Sequence, residues 1–118
     1  MGSSQKAEIT RFLMDFKRTA QMKFTFVHRK KNMESLYQLG VTIDDVKNEI
    51  FKLTLRNYIS GPSKDKDRAI GNMWIFGTAI NDFEIYIKLS DNFNYSIAKC
   101  ISFHKADFRC DYPYKENN

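Results

Sequence analysis

The chain has 118 residues, and its 19 lysines and arginines against 14 aspartates and glutamates give a formal charge of +5. With 42% hydrophobic and 28% charged residues, it has the composition of one soluble globular domain, which excludes a disordered chain, a collagen-like repeat and a disulfide scaffold. No apolar run approaches the roughly 20 residues of a membrane helix, so we expect a cytoplasmic protein without a secretory leader or a membrane partner.

The first third of the chain predicts a helix, a strand and a second helix. Apolar residues recur at helical spacing over residues 5–21. The aromatic and β-branched run over residues 24–28 is typical of a strand. Asn32 is a good N-cap for the second helix, and Gly40 can end it in the left-handed conformation. The buried stripe of the first helix is predicted to consist of Ile9, Phe12, Leu13, Phe16 and Ala20.

A third helix is predicted to begin at Thr42. Its hydroxyl can accept from a free amide, and Asp44 and Asp45 place negative charge at the positive end of the helix dipole. Residues 54–71 are predicted to be a polar connection with a turn at residues 60–62, where Gly and Pro follow Ser.

Three strands are predicted to follow, over residues 72–80, 83–89 and 96–104. The element order is then α-β-α-α-β-β-β, which favours an α+β fold with a small antiparallel sheet packed on the N-terminal helices. We expect a single domain over residues 1–118, with a core at about 5–105 and a C-terminal tail at 106–118.

Alternation along the last two strands predicts one apolar face and one face that is more polar or lined with smaller side chains. The second face is predicted to carry Glu84, Tyr86, Lys88, Ala98, Cys100, Ser102 and His104. Small residues beside large polar ones leave room for a ligand on a shallow platform. An ordinary half-exposed antiparallel sheet is the alternative interpretation of the same pattern.

The sequence contains no recognisable metal or cofactor motif. The five glycines form no phosphate-binding loop, and the two histidines and two cysteines lack a ligand spacing. We therefore expect neither a metal nor a cofactor. Cys100 and Cys110 are predicted to be reduced thiols, with Cys100 more typical of a buried structural thiol than of a nucleophile.

The positive charge is concentrated in the first part of the chain, since residues 1–70 have a balance of +6 and residues 71–118 a balance of −1. A basic half indicates an anionic partner, most commonly nucleic acid. Arg29, Lys30 and Lys31 form a candidate phosphate-binding cluster, and Arg56 and Arg68 are further candidates. A solvated surface with a cationic bias is the other interpretation.

Several short segments over residues 24–105 occur in the order and at the spacing of a known family. These segments are residues 39–45 with Ile50 and Leu53, residues 58–60, Met73 with Trp74, residues 84–88, and residues 101–104. In these segments the chain resembles the MqsR-type toxins of bacterial type II toxin–antitoxin pairs, which have a RelE-like fold. The resemblance implies a small basic endoribonuclease, an mRNA interferase, that cuts single-stranded RNA and is silenced by a cognate antitoxin protein.

The implied chemistry needs no metal, because the ribose 2′-hydroxyl attacks the adjacent phosphate with help from a base, cationic groups and an acid. By position, the resemblance assigns the active-site tyrosine to Tyr86 and a following phosphate-binding lysine to Lys88. His104 stands where the family prototype has a functional lysine, and histidine transfers protons near neutral pH. These three are the candidate catalytic residues.

The resemblance also assigns Tyr58 to substrate binding, as the tyrosine at the start of the connecting loop. Trp74 is a candidate for stacking on a base, with a core anchor as its alternative. Ile59 and Ile75 stand where the prototype has a lysine and a glutamine. Their apolar character keeps open a non-catalytic module of the same fold that binds RNA or a partner protein, and an uncharacterised protein-interaction domain is a third possibility.

Overall fold

The computed structural model describes residues 2–65 and 68–116, which form an α+β fold of three helices and a five-stranded mixed sheet with the order β1-β5-β4-β3-β2. The elements are α1 (Gly2–Met22), β1 (Phe24–Phe26), α2 (Lys30–Leu39), α3 (Ile43–Phe51), β2 (Tyr58–Asp65), β3 (Arg68–Ile80), β4 (Phe83–Ser90) and β5 (Ala98–Lys105). Within these described ranges, no helix combines the length and the apolar character that crossing a membrane requires.

The core lies between α1 and one face of the sheet. All five residues of the predicted stripe on α1 are buried, which confirms that prediction. The ring of Phe12 stacks on Trp74 of β3, with 4.6 Å between centroids and 4° between planes. Phe76, Ile87 and Phe103 come from three adjacent strands and complete this face. The opposite face, which we call the open face, is therefore the one left for a site.

The ends of α2 and α3 form largely as the local sequence predicts. Gly40 closes α2 with a φ of 69°, in the left-handed region. Thr42 caps α3, where its Oγ1 accepts from the Asp45 amide at 3.1 Å while Asp45 Oδ2 accepts from the Thr42 amide at 2.8 Å. Aspartate thus completes the reciprocal capping bond that more often uses glutamate.

Asn32 does not cap α2, which begins two residues earlier with Arg29 as its N-cap. Its buried amide instead joins α2 to the sheet: Nδ2 donates to the carbonyl oxygens of Val27 (2.8 Å) and Ile101 (3.0 Å), and Oδ1 accepts from the Phe103 amide at 3.1 Å. Beyond Cys100, β1 has ended and leaves this edge of β5 unpaired. The Asn32 side chain therefore supplies the hydrogen bonds that a neighbouring strand would otherwise make. The prediction that Asn32 is the N-cap of α2 is wrong.

Residues 58–65 are strand β2 and not part of a polar connection. The strand is at the edge of the sheet, where Pro62 is tolerated because no further strand needs its amide. Its pairing with β3 is interrupted by shifts in register. Gly61 has a φ of 106°, and a Cβ there would lie 2.6 Å from the Met73 carbonyl oxygen, so this position requires glycine. The turn-like composition of residues 60–62 therefore belongs to an irregular edge strand.

The sheet is mixed and not purely antiparallel as predicted, because β1 runs parallel to β5, with Phe24 beside Ala98 and Phe26 beside Cys100. The remaining strand pairs are antiparallel. Because β1 and β5 are far apart in sequence, no local turn specifies their relative direction, and a sequence pattern alone could not reveal it.

The alternation of β5 reverses at a bulge. Lys88 pairs with Ser102, but the next residue, Leu89, pairs with Cys100, so Ile101 has no partner on β4. An inserted residue shifts the two-residue period, and Ala98 and Cys100 therefore belong to the core. The prediction that they share the open face with Ser102 and His104 is wrong for this reason.

Candidate functional site

Tyr86 and His104 form the centre of the open face. They are direct partners across β4 and β5, and their rings stack with 5.2 Å between centroids and 17° between planes. Both side chains are half-buried. Cross-strand neighbours on one face bring their Cβ atoms to about 5 Å, which allows two flat rings to stack. The structure thus brings together two of the three predicted catalytic residues.

The hydrogen bonding of His104 defines its chemistry. Its Nδ1 lies 2.9 Å from the carbonyl oxygen of Lys105. A carbonyl only accepts, so Nδ1 carries the hydrogen, and the neutral ring keeps a lone pair on Nε2. This arrangement makes Nε2 the atom that can take a proton from a ligand.

Burial lowers the pKa of His104 below its ordinary value of 6.5. The ammonium groups of Lys31 and Lys88 also lower this pKa. The hydrogen bond to the Lys105 carbonyl and the carboxylate of Asp107 act in the opposite direction and raise it. The imidazole is therefore neutral at pH 7, which is the state a general base needs.

Lys88 lies two pairs further along the same strands, opposite Ser102. Side chains two residues apart on a strand share a face, so Lys88 follows Tyr86 along the open face. Ser102 is buried beside it. All three predicted catalytic residues therefore lie on one face of β4 and β5.

A groove of about 770 Å³ lies over this face, and we call it the open-face groove. Arg29 and Lys31 enter it from the start of α2, because Ser35 of that helix accepts from the Lys105 amide at 3.2 Å and holds α2 against the end of β5. Lys31 forms an ion pair with Asp107. The described lining contains four cationic side chains, Arg29, Lys31, Lys88 and Arg109, and two acidic ones, Asp107 and Asp111.

The remaining wall is the C-terminal segment, residues 106–116, which the sequence pattern predicts to be a tail. Glu84 holds it to the sheet: its Oε1 accepts from the Cys110 amide and its Oε2 from the Tyr112 hydroxyl, both at 2.9 Å. The bond from the Cys110 amide is the main cause that lowers the pKa of the Glu84 carboxyl. Gly77 of β3 leaves space for the Tyr112 ring. The cluster of Tyr112, Pro113 and Tyr114 was the signal that this segment packs.

Two residues predicted to bind substrate lie in the core. Tyr58 is buried, its hydroxyl donates to the Gly61 carbonyl oxygen at 2.5 Å, and its ring packs edge-on against Phe76. Trp74 is buried with its Nε1 donating to Asp91 Oδ2 at 3.1 Å, so it is the core anchor that the sequence left as an alternative.

Two other cations that were predicted to bind substrate lie outside the open-face groove. Lys30 is exposed and pairs with Glu34 at 3.9 Å, while Arg56 donates through Nε to the Lys115 carbonyl oxygen at 3.1 Å. Arg68 belongs to β3, but its side chain lies outside the described part of the structure. Of the five cations predicted to bind substrate, Arg29 and Lys31 therefore line the groove, together with the predicted catalytic residue Lys88.

Neither cysteine has the surroundings of a nucleophile. Both are free thiols, as the sequence predicts. Cys100 is fully buried, and burial raises the pKa of its thiol far above the ordinary value of 9.0. Burial also raises the pKa of Cys110, and the nearby Glu84 carboxylate adds to that shift. The reactive form of cysteine, the thiolate, is disfavoured at both positions.

Potential metal ligands do not converge in residues 2–65 and 68–116, where no group of three or more His, Cys, Asp and Glu side chains could hold an ion. Comparison with models of protein families, with curated proteins and with solved structures gave no match to this chain. The function must therefore be inferred from the residues of the open-face groove.

Proposed function

We propose that the chain is a metal-independent endoribonuclease that cuts single-stranded RNA in the open-face groove. The observation that carries the proposal is the stacked pair of Tyr86 and His104, with Nδ1 of His104 bound to the Lys105 carbonyl oxygen, in a groove with more cationic than acidic side chains. This combination of a base, a hydroxyl donor and cations is what cleavage of a phosphodiester by its own 2′-hydroxyl requires.

In the proposed reaction, His104 Nε2 accepts the proton of a ribose 2′-hydroxyl. The 2′-oxygen attacks the adjacent phosphorus, and the bond from phosphorus to the 5′-oxygen breaks. The Tyr86 hydroxyl donates its proton to the leaving 5′-oxygen and regains one by exchange through solvent from His104. The products are a 2′,3′-cyclic phosphate and a 5′-hydroxyl.

The cationic groups have a separate task, which is to hold the phosphate as its charge develops. Lys88 lies on the same face as Tyr86, two pairs from the stacked Tyr86 and His104. Arg29 and Arg109 line the same groove, and guanidinium groups bind phosphate oxygens in pairs. Lys31 is partly neutralised by Asp107, so we assign it a smaller share of phosphate binding.

The biological role that we propose follows the sequence resemblance: a RelE-like, MqsR-type toxin that acts on mRNA in the cytoplasm and is silenced by an antitoxin protein. A reading frame for a small helix-turn-helix protein beside that of this chain would support the role. Co-purification of the two proteins as a complex without ribonuclease activity would test it directly.

A second candidate is a non-catalytic RNA-binding module of the same fold. It is favoured by Ile59 and Ile75, which are apolar where the family prototype is polar. Ile59 lines the open-face groove, and Ile75 is almost fully buried. Such a module would bind RNA in the same groove with the same cations and leave it intact.

The deciding experiment incubates the purified protein with single-stranded RNA in EDTA. We expect fragments with 2′,3′-cyclic phosphate ends, and we expect His104→Ala and Tyr86→Phe each to lower the rate at least about tenfold, given that general acid–base groups contribute about 10²–10⁴-fold. His28→Ala is the matched control, because His28 is the other histidine and does not line the groove.

Circular dichroism and thermal unfolding of each variant establish that the fold is retained. Unchanged cleavage by both His104→Ala and Tyr86→Phe would reject the assignment of the site. Intact RNA together with salt-sensitive binding would favour the non-catalytic module.

A further inference from the structure

One rim of the open-face groove is a short turn over residues 106–110. Phe108 lies near its middle with 85% of its surface exposed, and it lines the groove together with its neighbour Arg109. A phenylalanine left in water forgoes the favourable burial of a large apolar ring. Its place on the rim of a cationic groove therefore calls for an explanation.

The turn is fixed at both ends by one residue. The Ala106 amide donates to the Glu84 carbonyl oxygen at 2.9 Å, and the Cys110 amide donates to the Glu84 carboxylate, also at 2.9 Å. Between these points, Asp107 is held by its ion pair with Lys31. The backbone around Phe108 is thus anchored while its ring is left in solvent, an arrangement that prepares an aromatic ring for a ligand at low entropic cost.

Other exposed aromatic side chains differ from Phe108 in position. Tyr37 on α2 and Tyr95 before β5 are 88% and 89% exposed, but neither lines the groove. Phe108 combines exposure with a position among Arg29, Lys31 and Arg109. A flat apolar ring beside cations matches a ligand that alternates flat bases with phosphates.

We propose that Phe108 is a stacking platform for a base of single-stranded RNA, with the adjacent cations binding the flanking phosphates. The proposal rests on the proposed function for its ligand and extends the site from the sheet to the C-terminal segment. Glu84 is a positioning residue in this scheme, because it touches the turn and not the RNA. Stacking on one ring is tolerant of base identity, so the platform gives affinity rather than a strict sequence preference.

The test measures binding of a short fluorescent 2′-O-methyl oligoribonucleotide by anisotropy at low salt. This ligand cannot be cleaved through a 2′-hydroxyl, so binding is separated from chemistry. We expect Phe108→Ala to weaken binding about tenfold, within the range for the loss of one base–aromatic stack, and Phe108→Trp to retain it. Tyr95→Ala is the control for an exposed aromatic outside the groove and should bind as the unmodified chain does.

Inorganic polyphosphate, which has charge but no bases, is the second ligand. We expect the unmodified chain and Phe108→Ala to bind it equally. Equal oligonucleotide binding by these two proteins would overturn the proposal. If Phe108→Ala weakened polyphosphate binding as much as oligonucleotide binding, the role of Phe108 would be structural, and the proposal would also be overturned. Absence of oligonucleotide binding by the unmodified chain at low salt would overturn it as well.

Cleavage of unmodified RNA, measured in parallel, separates this inference from the proposed function. Binding that depends on Phe108 without any cleavage would reject the ribonuclease and leave the platform in place. Cleavage with binding that is indifferent to Phe108 would reject the platform and leave the ribonuclease.

Discussion

Gly77→Ala is predicted to release the C-terminal segment from the sheet. A Cβ at this position would lie 2.4 Å from Tyr112 Oη and 3.0 Å from both Tyr112 Cε1 and Ile59 Cδ1. The Tyr112 ring must move away, and its hydroxyl then leaves the Glu84 carboxylate, which it reaches at 2.9 Å. The substitution thus acts on the segment that walls the open-face groove, although it changes only one strand residue.

The expected loss of stability combines three effects. A hydrogen bond to a charged acceptor contributes about 1.5–3 kcal/mol, and the lower end applies here because the pair is partly exposed. Overpacking costs about 1–3 kcal/mol, although a movable side chain relieves part of it. Alanine in a strand recovers about 0.5–1 kcal/mol over glycine. We expect a net destabilisation of about 2 kcal/mol, or a decrease in Tm of about 8 °C for a domain of this size.

A double-mutant cycle tests this reasoning by urea unfolding. In a Tyr112→Ala background the clash with Tyr112 is gone and only the movable end of Ile59 stays close, so Gly77→Ala should be neutral or stabilising by up to about 1 kcal/mol. The coupling between the two substitutions is then about 2–3 kcal/mol. If Gly77→Ala has the same cost in both backgrounds to within about 0.5 kcal/mol, the packing of Tyr112 on Gly77 is not the cause and the reasoning fails.

Three further outcomes are expected. Cleavage should decline as the pH falls, with a midpoint below 6.5, because burial lowers the pKa of His104 and only the neutral imidazole accepts a proton; a pH profile of kcat/KM that lacks this acid limb would contradict the role of His104. Lys88→Met should reduce the salt dependence of RNA binding by about 0.7 in the slope of log K against log salt, and Lys30→Met should leave it unchanged, a contrast that titration at several salt concentrations measures. Asn32→Ala should destabilise the fold by about 3 kcal/mol in urea unfolding, since it leaves buried groups of β5 without partners; a cost below about 1 kcal/mol would show that water replaces the amide.

The parts of the fold that the sequence predicted are those specified by neighbouring residues. The stripe on α1 depends on spacing alone, and the capping box on α3 depends on residues three apart. The predicted strands over residues 72–80 and 83–89 leave Asn81 and Asp82 between them, and in the turn between β3 and β4 these two adopt φ values of 51° and 69°. Asparagine and aspartate tolerate this left-handed region better than most residues, so the local chemistry was sufficient.

The parts that the sequence did not predict depend on distant partners. The bulge at Ile101 is not marked by any glycine or proline in β5, and it is apparent only from the pairing with β4. Strand β2 has the composition of a turn, because an edge strand tolerates Gly61 and Pro62. The contribution of the C-terminal segment to the groove rests on the contact of Glu84 with Cys110, which are 26 residues apart.

The distribution of charge shows how the fold combines the two halves of the sequence. The basic run at the start of α2 is divided by the geometry of a helix, since successive residues point about 100° apart. Lys31 faces the groove, while Lys30 faces Glu34. The nearly neutral second part of the chain then supplies Lys88 and Arg109 to the same groove. In the ribonuclease that we propose, phosphate binding and catalysis would therefore both use cations from the two parts of the sequence, which meet only in the folded chain.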